Sequence, residues 1–173
     1  MFLLCRVPIF DGDGELQLRY VSTRGNSASA SFEEVLLTGL APDGGLYIPC
    51  EWPKLPDVDL QKMTSMPYEQ IAFKVMRPFV GDVISENNFM EIIQKSYTAF
   101  NSDSPAPLRD LGKGLWLLEL FHGPTLAFKD IAMQFLGEMF EYILTKRNER
   151  ITIIGATSGD TGSAAIEAVK GKD

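Results

Sequence analysis

The sequence predicts an α/β fold class: a mainly helical N-terminal small domain, then the first βαβα part of a second domain. Three observations predict it. Apolar residues recur at helical spacing between residues 31 and 100. The segment SDSPAPL, 102–108, sets two prolines among small polar residues, as linkers do. Beyond it, short continuous apolar runs alternate with helical patterns, the signature of parallel strands covered on both faces.

Bulk composition fits an ordinary globular protein. The 173 residues are 45% hydrophobic and 23% charged, with 16 basic and 23 acidic side chains and a net charge of −7. That balance disfavours a nucleic-acid or anionic-membrane surface. Cys5 and Cys50 are far apart and near no histidine, so they read as reduced thiols, with the cytoplasm as the default compartment. The opening MFLLCRVPIF is too short for a membrane span and lacks the features of a cleaved leader.

Residues 1–18 read as an extension. Within them DGDGE, 11–15, is a polar turn and not a calcium loop, because Ser22 stands where an EF-hand needs its glutamate. The small domain is expected over 19–104. Ser31 and Glu34 have capping-box spacing ahead of VLLTGL and predict a helix start. APDGGLYIP, 41–49, is expected to turn, since two glycines and two prolines break any periodic element. Helices are expected at Tyr68–Phe79 and Ser85–Phe100, the latter with Phe89, Ile92, Ile93, Tyr97 and Phe100 on one face.

Residues 105–173 open the second domain. LWLLEL (115–120) and ITIIG (151–155) read as strands, with a helix over 130–146 between them and another starting at 163–170. A two-stranded parallel sheet leaves edges and a helix face uncovered. The chain is therefore expected to be the N-terminal part of something longer.

Two places can carry chemistry. Lys129 lies between an apolar strand and an apolar helix, flanked by Leu126, Ala127, Phe128 and Ile131. Those neighbours would desolvate its amine, and a helix start would add to the effect, lowering its pKa and making it a better nucleophile. The competing reading is a lysine that snorkels to water and pairs with Asp130. The second place is ATSGDTGSAA, 156–165, where Thr157, Ser158, Thr161 and Ser163 supply hydroxyls and Gly155, Gly159 and Gly162 allow close backbone approach. It matches neither the phosphate-loop nor the dinucleotide pattern. It reads equally as a helix cap using Ser158, Asp160 or Thr161. His122 shows no evident partner and reads as a loop-orienting residue, and Arg24 and Asp43 read as surface charges. A lysine after one strand and an anion-binding loop after the next is what pyridoxal phosphate chemistry needs.

ELFHGPTLAFKD (119–130) with ATSGDTGSAA resembles the threonine synthase family, and YVSTRG (20–25) and APDGGLYIP resemble that family's N-terminal domain. The resemblance covers 19–173. Asp160 sharpens it, since related fold-type-II enzymes usually carry asparagine there. It implies a pyridoxal 5'-phosphate lyase converting O-phospho-L-homoserine and water to L-threonine and phosphate. It implies Lys129 as the catalytic, cofactor-bearing lysine, and Phe128 and Asp160 as further cofactor contacts. Thr157, Ser158, Gly159, Asp160 and Thr161 are implied as substrate contacts. No metal, nucleic acid or membrane partner is implied. The family's cofactor-phosphate loop lies beyond residue 173, so this segment alone is expected to turn over little or nothing. A threonine dehydratase or cysteine synthase type of lyase, or a non-catalytic relative, are the alternatives.

Overall fold

A computed structural model describes residues 18–157 and 159–172. Ser158, Cys5 and nearly all of the expected extension lie outside the described residues. The chain forms two compact units, residues 1–89 and 90–173. The division falls inside a helix, and each unit is built around its own contacts.

In the first unit, strand β1 (Tyr20–Ser22) pairs antiparallel with β2 (Tyr47–Pro49), in register Tyr20 to Pro49 and Ser22 to Tyr47. The expected turn at 41–49 thus ends in a strand. Its glycines and prolines confine the turn to 41–46, where Leu40 and Leu46 also bridge. Helix α1 (Phe32–Thr38) begins with the expected capping box. Ser31 Oγ accepts from the Glu34 amide, and the Glu34 carboxylate accepts from the Ser31 N–H at 2.6 Å. Both orphan donors at the helix start are thereby satisfied. Helix α2 (Asp57–Met63), which has too short an apolar pattern to be legible, precedes α3 (Tyr68–Val80). Phe73 and Phe89 pack with ring centroids 5.6 Å apart, and Trp52 meets Phe79 edge-on at 6.3 Å. Tyr20 donates its hydroxyl to the Phe79 carbonyl at 2.6 Å, tying β1 to the end of α3. Burial, reinforced by Cys50, pushes that phenol up to about 12.

Helix α4 (Glu86–Tyr97) bears out its periodicity: Phe89, Ile92, Ile93 and Tyr97, with Phe100 beyond its end, are all buried.

The second unit departs from expectation in its sheet. Strand β4 (Leu115–Leu118) pairs antiparallel with β3 (Leu108–Gly112), through a bulge at Asp110/Gly112. Lys113 and Gly114 close the hairpin with φ of 54° and 78°, the two left-handed positions that a tight hairpin loop requires. A neighbour two residues away costs little loop-closure entropy, whereas a parallel partner needs a long crossover. The expected second strand, 151–155, forms no strand and has no ladder partner among the described residues. The mixture of helix and strand is as expected; the parallel pairing is not.

Helix α5 (Asp130–Arg147) and helix α6 (Asp160–Val169) pack against each other. Gly137 is the seam: a Cβ there would stand 2.3 Å from the Ala168 carbonyl oxygen. Along α5, Met139 and Ile143 are buried, while Ala132 is exposed. Lys172 then reaches back to Glu138 at 2.5 Å and Glu141 at 2.6 Å. Burial pushes its amine down, but the two carboxylates outweigh that and hold it above the usual lysine value.

Candidate active site

The loop from Glu119 to Lys129 is held at both ends by carboxylates. At its start, buried Glu119 accepts from Arg109 Nε at 2.8 Å and from His122 Nε2 at 2.9 Å. A carboxylate only accepts here, so His122 carries its proton on Nε2. The His122 hydrogen bond, opposed by burial and aided by the Arg109 charge, holds the Glu119 carboxyl below its ordinary value. The His122 carbonyl accepts from the Asn101 amide at 2.9 Å, and the Glu119 amide donates to the Pro107 carbonyl at 3.0 Å. His122 therefore does have a partner, three residues upstream. The signal was present as Glu-x-x-His around the end of an apolar run.

At the loop's far end, Asp130 is fully buried. Its Oδ2 accepts from the Thr125 amide at 2.8 Å and its Oδ1 from the Thr125 hydroxyl at 2.7 Å. Gly123 presses against the same carboxylate, where a Cβ would meet Asp130 Oδ2 at 2.5 Å.

Lys129 sits between this buckle and α5, as the helix's N-cap residue. Its Nζ lies 4.2 Å from the centroid of the Phe128 ring, within cation–π range. Among the described residues no hydrogen bond or ion pair holds the amine, so the expected alternative of a pair with Asp130 is not formed. The surroundings are also more open than expected. Ala127 is buried, but Leu126 is 72% and Phe128 58% exposed. Leu126 takes a left-handed φ of 61°, which turns its side chain outward.

The second expected site, 157–161, opens α6. The helix starts at Asp160, earlier than periodicity suggested, and its N-cap residue is Gly159 with φ 134°, a conformation open to glycine alone. Neither Asp160 nor Thr161 caps it. Instead the Thr157 hydroxyl accepts from the Gly159 and Gly162 amides at 3.2 and 3.0 Å. Gly162 is needed for this, since a Cβ would lie 2.9 Å from Thr157 Cγ2. A Cβ on Gly155 would meet nothing within 4 Å, so no packing among the described residues demands that glycine.

Helices α5 and α6 meet where Gly137 faces Ala168, and beyond the end of α6 Lys172 reaches Glu138 and Glu141. Asp130 lies seven residues before Gly137 and Asp160 eight before Ala168, so along its own axis each helix begins about 11–12 Å before this contact at the standard rise. Each head carries the positive end of its helix dipole.

In the first unit, Arg24 is exposed, as expected of a surface charge, and Asp43 is half-buried, but hydrogen bonds tie both into the turn. Asp43 Oδ1 accepts from the Ser22 hydroxyl at 2.6 Å and the Gly45 amide at 2.9 Å, and its Oδ2 from the Asn26 amide at 3.0 Å. Arg24 donates to the Asp43 carbonyl at 3.0 Å. These bonds join YVSTRG to APDGG, an arrangement invisible in sequence because its partners lie about twenty residues apart.

Comparison with known proteins fits these motifs. Residues 19–97 match the family described as threonine synthase N terminus. The chain is 52% identical over 153 residues to a threonine synthase of Pseudomonas aeruginosa, covering 88% of this chain and 33% of that protein. It is 47% identical over 165 residues to a threonine synthase of Schizosaccharomyces pombe, covering 90% of this chain and 32% of the relative. Among solved structures, a PLP-bound threonine synthase from Brucella melitensis superposes with a TM-score of 0.88 at 46% identity, over 91% of this chain and 34% of that one. The chain spans about a third of the length of the curated relatives it matches.

Proposed function

We infer that this chain is the N-terminal portion of a threonine synthase, a pyridoxal 5'-phosphate-dependent lyase that converts O-phospho-L-homoserine and water to L-threonine and phosphate. The observation that carries the reading is the amine of Lys129 at the head of α5, held by no ion pair among the described residues, in a chain whose α6 opens on a hydroxyl-rich segment and packs against α5. It stands in a chain 46% identical to a PLP-bound threonine synthase.

The residues present fit the cofactor. Lys129 offers a primary amine with no competing ion pair among the described residues, and Phe128 offers a largely exposed aromatic face. When bound, pyridoxal phosphate supplies an electron-withdrawing ring that makes protons at Cα and Cβ of an amino acid labile. Lys129 is assigned to take and return those protons, the general acid–base role that a lysine amine can fill. Phosphate departs from Cγ and water adds at Cβ, which balances the overall reaction.

Thr157, Ser158, Gly159 and Thr161 are assigned to the substrate carboxylate, and Asp160 to both cofactor and substrate. The exposed start of α6 supports this, because the positive end of its dipole favours an anion. Cofactor, substrate and a cytoplasmic setting, where both cysteines stay reduced, belong to the same reading.

The test uses the polypeptide of the complete reading frame that carries this segment. Phosphate released from O-phospho-L-homoserine, with threonine formed in equal amount, is the expected result. Ammonia release from threonine without phosphate release from phosphohomoserine would replace this reading with a dehydratase.

A further inference from the structure

We propose that Asp130 is a positioning residue for Lys129, acting through Thr125. The inference rests on the reading of Lys129 as the reacting amine.

The geometry is unusual for a helix start. An aspartate in the first turn ordinarily faces solvent or the dipole. Asp130 instead is 0% exposed and turns back over the preceding loop. Both of its oxygens are engaged by one residue, the Thr125 amide on Oδ2 and the Thr125 hydroxyl on Oδ1. Burying a carboxylate is costly unless it is hydrogen-bonded, so the six residues 125–130 are locked as a ring. Gly123 closes on that ring, with no room for a Cβ. Within it, Leu126 holds its left-handed φ of 61°, a conformation that persists for such a residue only when its surroundings over-determine it. The Asp130 amide donates to the Ala127 carbonyl at 3.0 Å, which fixes the turn immediately before the lysine.

Lys129 is the one ionisable side chain in this ring besides Asp130, and its amine lies over the Phe128 ring and forms no ion pair with the Asp130 carboxylate. The carboxylate thus sets the backbone from which the amine projects without neutralising it. A lysine is long and flexible, and its reactivity with a bound carbonyl depends on arriving at one place. A displacement of the order of 1 Å is enough to cost rate.

The test compares wild type, Asp130→Ala, Thr125→Val and Thr125→Ser in the full chain, each checked for cooperative melting. Each protein is treated briefly with pyridoxal phosphate and borohydride, and the adduct on Lys129 is measured against that on exposed Lys113 of the same molecule. A second sample of each is trace-acetylated. Expected is a Lys129 to Lys113 pyridoxyl ratio that falls about tenfold in Asp130→Ala and Thr125→Val, the equivalent of one lost hydrogen bond to a charged group. Thr125→Ser restores it, and the acetylation ratio does not fall. If Asp130→Ala does not fold, Thr125→Val carries the test, because it removes only the hydroxyl. A wild-type preference for Lys129 that survives in Thr125→Val and in folded Asp130→Ala overturns this inference alone. No preference for Lys129 in wild type overturns the reading it rests on, and this inference with it.

Discussion

The Ser22 hydroxyl donates to Asp43 Oδ1 at 2.6 Å, joining the end of β1 to the turn that enters β2. Gly45 permits the contact, since a Cβ there would stand 2.1 Å from Ser22 Oγ. The bond from Ser22, opposed by burial and joined by the Gly45 and Asn26 amides, lowers the Asp43 carboxyl to about 2 from 3.8.

A folded-state pKa below the unfolded value means stability that is present above 3.8 and lost as pH falls toward 2. Asp43→Asn is therefore expected to lower the urea midpoint at pH 7. The gap between variant and wild type should close progressively between these two values. Urea titrations across that pH range check it, and a gap that persists unchanged at the acid end would assign the loss to shape and not to charge.

Glu119 holds His122 and Arg109 together at the foot of the lysine loop. Glu119→Gln keeps the shape but removes the charge that both donors share. Hydrogen exchange at the Asn101 amide, which donates to the His122 carbonyl, is expected to speed up in this variant, while exchange in α1 stays unchanged. The Glu119 carboxyl is held low, so wild type should move toward the variant's behaviour as pH falls below the ordinary carboxylate range.

Gly137→Ala places a Cβ 2.3 Å from the Ala168 carbonyl oxygen, a backbone atom that moves only with its helix. The expected cost is about 1–3 kcal/mol of stability, even though alanine is the better helix former. Thermal melting measures it. Gly155→Ala, where the new methyl meets nothing within 4 Å, is the control and should melt like wild type.

Local signals in the sequence were reliable where one element satisfied itself. The Ser31–Glu34 capping box needs no distant partner, and the apolar face of α4 shows in its spacing whatever covers it; both are present as read. The Asp43 and Asp130 clusters were not legible, because a carboxylate's partners are set by how a loop folds back. The hairpin of β3 and β4 was missed although Gly-Lys-Gly at 112–114 announces it. The apolar run at 115–118 was read for burial, yet Leu115 is 62% and Trp116 56% exposed. Ile151–Ile154 likewise lack a ladder partner among the described residues, and an apolar run becomes a strand only when a neighbour supplies the ladder. Of the candidate site, the place of Lys129 at one helix start and of Asp160 and Thr161 at the next was legible. The devices that hold them, Thr125 with Asp130 and Thr157 with the Gly159 and Gly162 amides, were not.

The central claim is that the amine of Lys129 bears the cofactor. The most direct measurement is borohydride reduction of the full chain loaded with pyridoxal phosphate, followed by intact mass and peptide mapping. One pyridoxyl group per chain, on the peptide containing Lys129, is the result this account predicts. A reduced adduct on another lysine, with the Lys129 peptide unmodified, would contradict it.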